Sequence, residues 1–173
     1  MAGGAVSGIA ASTCQSSVQR TRRAAPAAPR APLREEAREA MVHAMALAGN
    51  PSSVHAEGRQ ARAIVETARQ QVAAALGAQG ADVIFTSGAT EAAGLALTGR
   101  GIRCADIEHE AVSSWCQSDL SCGSDGGVAC EAPGATALQL ANSETGILQQ
   151  LPDGLALCDM TQAFGKLPVA FHW

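Results

Sequence analysis

Short apolar runs that each end in a polar turn constrain the fold of this chain more than any other feature. Runs of strand length occur at residues 83–86, 102–107, 138–141 and 155–158. Helical patterns lie before and between them, and this alternation predicts an α/β fold with a mainly parallel sheet. Ligands of open parallel sheets bind at the carboxyl ends of the strands. The turns that follow the four runs therefore predict one shared site: Ser87-Gly88-Ala89-Thr90-Glu91, Glu108-His109, Asn142-Ser143-Glu144-Thr145-Gly146 and Asp159-Met160-Thr161-Gln162.

The helical patterns predict two longer and two shorter helices. The first begins near Glu35 and ends before Gly49-Asn50-Pro51. The second spans roughly residues 55–77, with Gly77 as its C-terminal cap. We expect its apolar stripe to lie in the core: Ala61, Val65, Ala68, Val72, Ala75 and Leu76. Shorter helices are expected at residues 90–97 and 110–117, and residues 121–134 are expected to form a loop.

Charge and composition exclude several classes of protein. The net charge is −4, which gives no electrostatic basis for binding nucleic acid or an anionic membrane. No apolar run approaches the roughly 20 residues of a membrane helix. None of the six cysteines forms a C-x-x-C pair, and Cys116, Cys122 and Cys130 are spaced too irregularly for a structural zinc site. We therefore expect reduced thiols and no metal site.

The first residues differ in composition from the rest. Residues 1–34 contain five arginines, several serines and no Asp or Glu. Such a segment is typical of an organelle transit peptide, and equally of a disordered leader. We predict a disordered or targeting-like leader at residues 1–31 and a single partial domain at residues 32–173. The cytoplasm is the expected compartment, with the mitochondrion or plastid as the alternative if residues 1–34 are a transit peptide.

The residues of the strand-end turns also have simpler interpretations. The small-residue turn Ser87-Gly88-Ala89-Thr90 lets backbone amides approach an anion at the start of a helix, yet such residues also form ordinary turns and N-caps. His109 taken alone is more often a surface or core histidine than a catalyst. An aspartate such as Asp159 is a common N-cap at a strand end. None of these residues decides the function singly.

Four stretches in a fixed order resemble the cysteine desulfurases, which are class V aminotransferase-like enzymes of the fold type I pyridoxal-phosphate (PLP) group. They are Gly49-Asn50-Pro51-Ser52-Ser53-Val54-His55 with Gly58-Arg59, then residues 85–91, residues 142–146 and residues 159–166. The resemblance covers roughly residues 32–173. It implies the large domain of the PLP-dependent transferase fold, truncated, with a mainly parallel sheet flanked by helices.

The resemblance also implies a role for each site residue. Ala89 and Thr90 would bind the cofactor phosphate, and His109 would stack on the pyridine ring as the catalytic residue. Asp159 would pair with the protonated ring nitrogen and keep the ring an electron sink. Gln162 would hydrogen-bond the phenolic oxygen of the ring.

Two departures from the family pattern concern the third turn. The family usually has an asparagine directly before the glutamate, whereas this chain has Ser143 there and Asn142 one residue earlier. We expect both Ser143 and Asn142 to bind the cofactor. The connection from Ser143 to Leu155 is also short for a parallel crossover, and Pro152-Asp153-Gly154 argues against a helix within it.

The implied activity converts L-cysteine to L-alanine and leaves an enzyme-bound persulfide sulfur for iron–sulfur cluster assembly. The family's cofactor lysine and its acceptor cysteine follow the Gly-Lys-x-Pro motif. Lys166, the only lysine of the sequence, matches the lysine of that motif, which does not bond the cofactor. Covalent attachment of PLP through the family lysine and turnover by the isolated chain are therefore not expected. The alternatives are a non-catalytic partner of a full-length relative, a homodimer of this chain, or a partial gene product.

Overall fold

The computed structural model describes residues 32–169. The predicted leader at residues 1–31 lies outside the described residues, as do residues 170–173. The helices are α1 (Glu35–Met45), α2 (Ala56–Ala75), α3 (Ala89–Leu97) and α4 (Glu110–Ser113), with a short 3-10 helix at Pro133–Ala135. The strands are β1 (Arg103–Ala105), β2 (Gln117–Leu120), β3 (Thr136–Gln139) and β4 (Leu157–Asp159).

The predicted α/β architecture with a parallel sheet is confirmed. The four strands form one sheet in the order β2-β1-β3-β4, and all three neighbouring pairs run parallel. In the pair that matters most for the site, Gln139 of β3 lies opposite Asp159 of β4. Because the strands are parallel, the turns that follow β1, β3 and β4 emerge at the same edge of the sheet.

Apolar residues cover both faces of the sheet, as parallel sheets require. One cluster packs α3 and α4 on the sheet through Leu97, Val112, Cys104 and Ala137. Alternate residues of the strands point to the other face, where Ala105 and Leu138 pack against Leu155. All four residues of β3 are buried, so this strand is the centre of the core.

The predicted apolar stripe of α2 does not lie in the core, which corrects the sequence interpretation. Ala75 is exposed and the other stripe residues are only half-buried, whereas Gly58 and Ala73 are the buried residues of this helix. The reason is the surroundings of the helix, because its second half borders a groove instead of packing flat on the sheet. The predicted cap is confirmed, since Gly77 follows the helix with φ 63°.

The strands differ from the sequence prediction at two places: one predicted strand is absent from the described sheet, and one observed strand was not predicted. Residues 83–86 were predicted as a strand, but they are extended without pairing to any strand in the described part of the chain. Instead, the guanidinium of Arg69 donates to the Val83 carbonyl and lies 5.2 Å from the centroid of the Phe85 ring. The strand β2 was not predicted, because an exposed edge strand of sequence Gln-Ser-Asp-Leu lacks apolar alternation.

The compact connection between β3 and β4 is confirmed. Residues 140–156 join two neighbouring parallel strands without a helix. An isolated bridge between Ala141 and Leu148 closes the turn after β3, and the Gln149 amide returns to the Leu140 carbonyl at 2.9 Å. The segment thus satisfies its backbone through a tight turn and not through a crossover helix.

The Gly49–Gly58 motif has a structural explanation. A Cβ atom on Gly49 would lie 2.4 Å from the Glu57 carbonyl oxygen, and one on Gly58 would lie 2.5 Å from the Asn50 carbonyl oxygen. The loop before α2 therefore touches the first turn of that helix backbone to backbone. Only glycine leaves room for this approach.

Cys104, Cys116, Cys122, Cys130 and Cys158 form no disulfide with one another, while Cys14 lies outside the described residues. Burial raises the pKa of Cys116 to about 12, so this thiol stays neutral in ordinary buffers. Within residues 32–169 no cluster of His, Cys, Asp or Glu could hold a metal ion, and no helix is long and apolar enough to cross a membrane.

Candidate functional site

The turns that follow β1 and β3 are tied together by one carbonyl group. The Ile107 carbonyl accepts hydrogen bonds from the side-chain amides of Gln139, at 2.7 Å, and Asn142, at 3.0 Å. The end of β1 is thereby fixed against the end of β3. His109, which follows two residues after Ile107, takes its position from this connection.

Asn142 shapes its turn with its whole side chain. The buried Oδ1 accepts from the amides of Glu144 and Thr145, at 2.9 and 2.8 Å, and from the Thr145 hydroxyl at 3.0 Å. Its Nδ2 group is committed to Ile107. The structure thus gives Asn142 a positioning role, with the half-buried Ser143 beside it. A direct contact of either residue to a cofactor stays a prediction.

Asp159 ends β4 with one carboxylate oxygen engaged locally. Its Oδ1 accepts from the Thr161 amide at 2.8 Å and from the Thr161 hydroxyl at 2.6 Å. These bonds fix the rotamer of a half-buried carboxylate. The described residues place no hydrogen bond on Oδ2, so this oxygen can accept a proton donor from a ligand.

The N-terminus of α3 is open. Gly88 precedes it in extended conformation, and within the described residues no side chain caps the first turn. The first amides of a helix lack intrahelical acceptors and attract anions. Glu91 is turned back to the preceding residue, because the Ser87 hydroxyl and amide both donate to its Oε2 at 2.7 Å and hold the pKa of Glu91 below its usual value. Ala89 and Thr90 are exposed at this helix end.

His109 is the N-cap residue of α4. Its Nδ1 accepts from the Ala111 amide at 3.1 Å, and the residue is exposed. Because Nδ1 acts as an acceptor, the neutral imidazole carries its proton on Nε2. His109 therefore combines an N-cap role, which the sequence did not predict, with an Nε2–H group that donates to no described residue.

Gln162 and Lys166 contact each other in the segment after β4. The Lys166 Nζ donates to the Gln162 Oε1 at 2.8 Å, across one helical-type turn. This bond leaves the Gln162 amide nitrogen as a donor on a half-buried side chain. The lysine itself is exposed.

One groove joins two of the turns that the sequence predicted to share a site. Ala89 at the start of α3 and Asp159 at the end of β4 both line it, together with Arg69 of α2. Its volume is about 1510 Å³, which exceeds that of a typical small-molecule pocket. The groove thus brings together Ala89 and Asp159 of the predicted site, whereas Thr90, His109 and Gln162 are not among its lining residues.

The donor set of this groove fits a phosphorylated pyridine. A helix N-terminus that no described side chain caps suits a phosphate, and a carboxylate oxygen that accepts no hydrogen bond from the described residues suits a protonated ring nitrogen. The buried carboxyl of Glu108, to which the family resemblance assigned no role, adds a second acid near Asp159. Sequence signals for Glu108 existed, since an acid directly follows the apolar run 102–107 and precedes His109.

A parallel sheet whose strand-end turns bring a helix N-terminus and a carboxylate to one groove defines a class of proteins that bind phosphorylated ligands at the carboxyl edge of the sheet. The chain belongs to the aminotransferase class-V family, whose model matches residues 24–118. Dependence on PLP is a property of that family.

Relatives of known name agree with this assignment. A cysteine desulfurase from Frankia sp. (strain EuIK1) is 36% identical over 166 residues, covering 71% of this chain and 40% of the relative. A selenocysteine lyase from Bos taurus is 51% identical over 67 residues, or 38% of this chain and 15% of that protein. The crystal structure of a NifS-like protein from Rickettsia africae ESF-5 matches with a TM-score of 0.69 and 26% identity, covering 80% of this chain and 47% of that one. The chain spans less than half the length of each.

Proposed function

We propose that this chain supplies the phosphate-binding and ring-binding turns of a PLP-dependent cysteine desulfurase. The proposal rests on one observation: Ala89 and Asp159, which belong to two separate turns, both line one groove. The names of the relatives support L-cysteine as the substrate and iron–sulfur cluster assembly as the destination of its sulfur. L-alanine is then the second product.

We expect one end of the groove to bind the phosphate of the cofactor and the other end to bind its ring. The amides at the start of α3, with the Thr90 hydroxyl, hold the phosphate. The Oδ2 atom of Asp159 accepts a hydrogen bond from the protonated ring nitrogen. Thr161 fixes the rotamer of Asp159 through Oδ1. When bound, PLP supplies an electron sink for the bonds at the substrate's α-carbon. His109 covers the ring and offers its Nε2 proton, and Gln162 donates to the phenolic oxygen.

Covalent attachment of the cofactor would require an amine at the site. The single lysine of the sequence, Lys166, is exposed and donates to Gln162. We therefore propose that Lys166 does not bond the cofactor. The proposed compartment is the cytoplasm, or the mitochondrion or plastid if residues 1–34 act as a transit peptide.

Binding of PLP to the 173-residue chain tests the two ends of the site separately. Asp159→Ala should weaken binding about tenfold or more, because a charge-assisted hydrogen bond is lost. Thr90→Ala should weaken it by a smaller factor of about three to ten, since one neutral hydroxyl is removed. Isothermal titration calorimetry measures both effects.

Each variant has a matched control in the chain. Asp153→Ala removes an exposed aspartate from the loop before β4, and Thr67→Ala removes an exposed threonine of α2 that does not line the groove. Both controls should bind PLP like the parent chain. The proposal fails if the parent chain does not bind PLP, or if Asp153→Ala weakens binding as much as Asp159→Ala does.

A second candidate function, pairing with another class-V chain, is favoured by the surface of α1. None of the residues of this helix is buried, and its large apolar side chains Met41, Val42 and Met45 are exposed. Clustered exposed apolar side chains mark interaction surfaces. We propose that α1 packs against a second copy of this chain or against a full-length relative.

Charge substitutions on α1 test the pairing. Met45→Glu should shift the chain from dimer to monomer, because it places a charge in a contact that excludes water. Light scattering during size-exclusion chromatography, with and without a full-length cysteine desulfurase, measures the mass. Ala74→Glu, on an exposed face of α2, is the control and should leave the mass unchanged. The pairing would be contradicted if the parent chain is monomeric and does not bind the full-length cysteine desulfurase.

A further inference from the structure

Glu108 is a buried acid that the roles above leave unused. It is 8% exposed, and its Oε1 accepts from the Gln139 amide at 2.7 Å. Its Oε2 is buried and has no hydrogen-bond partner among residues 32–169. Buried polar atoms nearly always have a partner, so an unsatisfied carboxylate oxygen next to a binding site calls for an explanation.

The sheet register brings this carboxyl close to Asp159. The amide that Glu108 accepts belongs to Gln139, and Gln139 lies directly opposite Asp159 in the β3–β4 pair. The Glu108 carboxyl and Asp159 therefore flank the same residue of β3, near enough for the charge of Asp159 to act on Glu108. The same Gln139 side chain holds the Ile107 carbonyl, which fixes the backbone just before Glu108.

We propose that Glu108 is a positioning residue of the cofactor site, whose buried carboxyl adjusts the negative charge beside Asp159 when a cationic ring nitrogen engages that carboxylate. The inference rests on the proposed function. Before the ring arrives, burial and the charge of Asp159 favour the protonated form of the Glu108 carboxyl. When the ring cation pairs with Asp159, Glu108 releases that proton to solvent and its new charge strengthens the hold on the cation.

The electrostatic surroundings of Glu108 support this exchange. Burial, opposed by the Gln139 amide and reinforced by the charge of Asp159, raises the pKa of Glu108 to about 7. The thiols of Cys104 and Cys116 also face it, and both have raised pKa values, so they stay neutral near pH 7. Its chain neighbour His109 directs Nδ1 to the Ala111 amide. Burial is therefore the main cause of the raised pKa of Glu108, and Asp159 adds a negative charge that a bound cation can neutralise.

Carbon-13 NMR of the chain, labelled at the glutamate side-chain carboxyls, follows the protonation of Glu108 directly. The signal is assigned by its loss in Glu108→Gln, and far-UV circular dichroism checks that this variant is folded. Pyridoxamine 5′-phosphate is the probe, because it carries the ring nitrogen and the phosphate without an aldehyde. An analogue with carbon in place of the ring nitrogen is the control probe.

The expected midpoint for Glu108 in the free chain lies near pH 7. Asp159→Asn and saturation with pyridoxamine 5′-phosphate should each raise the acid dissociation constant of Glu108 by about tenfold, since each removes or neutralises a nearby charge. The control probe, which has no ring cation, should leave the constant unchanged.

Two results would overturn the inference. The titration midpoint of Glu108 would be unchanged by Asp159→Asn, or it would be unchanged by bound pyridoxamine 5′-phosphate. Failure of the proposed function gives a different pattern. In that case the probe does not bind the parent chain at all, whereas the response of Glu108 to Asp159→Asn, measured without ligand, still decides whether the two acids are coupled.

Discussion

Replacing Leu138 by alanine is expected to lower the free energy of unfolding by about 2–5 kcal/mol. Leu138 is 0% exposed, lies at the centre of the fully buried strand β3 and packs against Ala105 and Leu155. Truncation removes its transfer free energy and leaves a cavity that a short central strand cannot close. Urea denaturation followed by circular dichroism measures the change.

Leu95→Ala is the matched control for this prediction. The Leu95 side chain is 63% exposed on α3, so the same truncation should change the stability by no more than about 0.5 kcal/mol. Equal losses for Leu138→Ala and Leu95→Ala would show that β3 is not the centre of the core. The comparison also reveals whether the chain unfolds cooperatively, because a chain without a core would show no transition in either variant.

Glu108→Gln is expected to remove a large pH dependence of stability. The folded-state pKa of Glu108 is raised to about 7 from an ordinary value of 4.5, so the folded chain binds this proton more tightly than the unfolded chain. The stabilisation from protonated Glu108 is present below pH 4.5 and is lost as the pH rises to 7. One pKa unit corresponds to about 1.4 kcal/mol, which makes the loss about 3 kcal/mol.

The difference in unfolding free energy between the parent chain and Glu108→Gln isolates the contribution of the Glu108 carboxyl. The unfolding free energy of the parent relative to Glu108→Gln should fall by about 3 kcal/mol between pH 4.5 and pH 8. Glu131→Gln, which alters an exposed glutamate, is the control and should follow the parent over the same range. Parallel curves for the parent and Glu108→Gln would mean that Glu108 titrates alike in the folded and unfolded chains.

Elements with strong periodicity were predictable from the sequence. The helices α1, α2 and α3 occur close to their predicted bounds, and the apolar runs near residues 103, 138 and 157 form parallel strands. Pairing partners were less predictable, since β propensity does not create a neighbour. Val83 and Phe85 have the side chains of a strand, yet Arg69 supplies their contacts in the described chain. Conversely, Gln117–Leu120 forms a strand because β1 offers it an edge.

That the turns after parallel strands share one edge of the sheet was also predictable. Ala89 and Asp159 both line one groove, although residues 83–86 before Ala89 pair with no described strand. The detailed use of each side chain was not predictable. Whether Asn142 faces a ligand or its own turn depends on the carbonyl of Ile107, 35 residues earlier in the chain. The burial of Glu108 likewise depends on β3, which lies far from it in sequence.

The outer side of β4 determines how this sheet can grow. Among the described residues β4 pairs only with β3, so its other side borders the groove that Asp159 and Ala89 line. Any strand that joins the sheet there would run past the carboxylate proposed to hold the ring. Addition of a strand at this edge and binding of a ligand in the groove would then be thermodynamically coupled. The added strand would change the affinity for the ligand, and the ligand would change the affinity for that strand by the same factor.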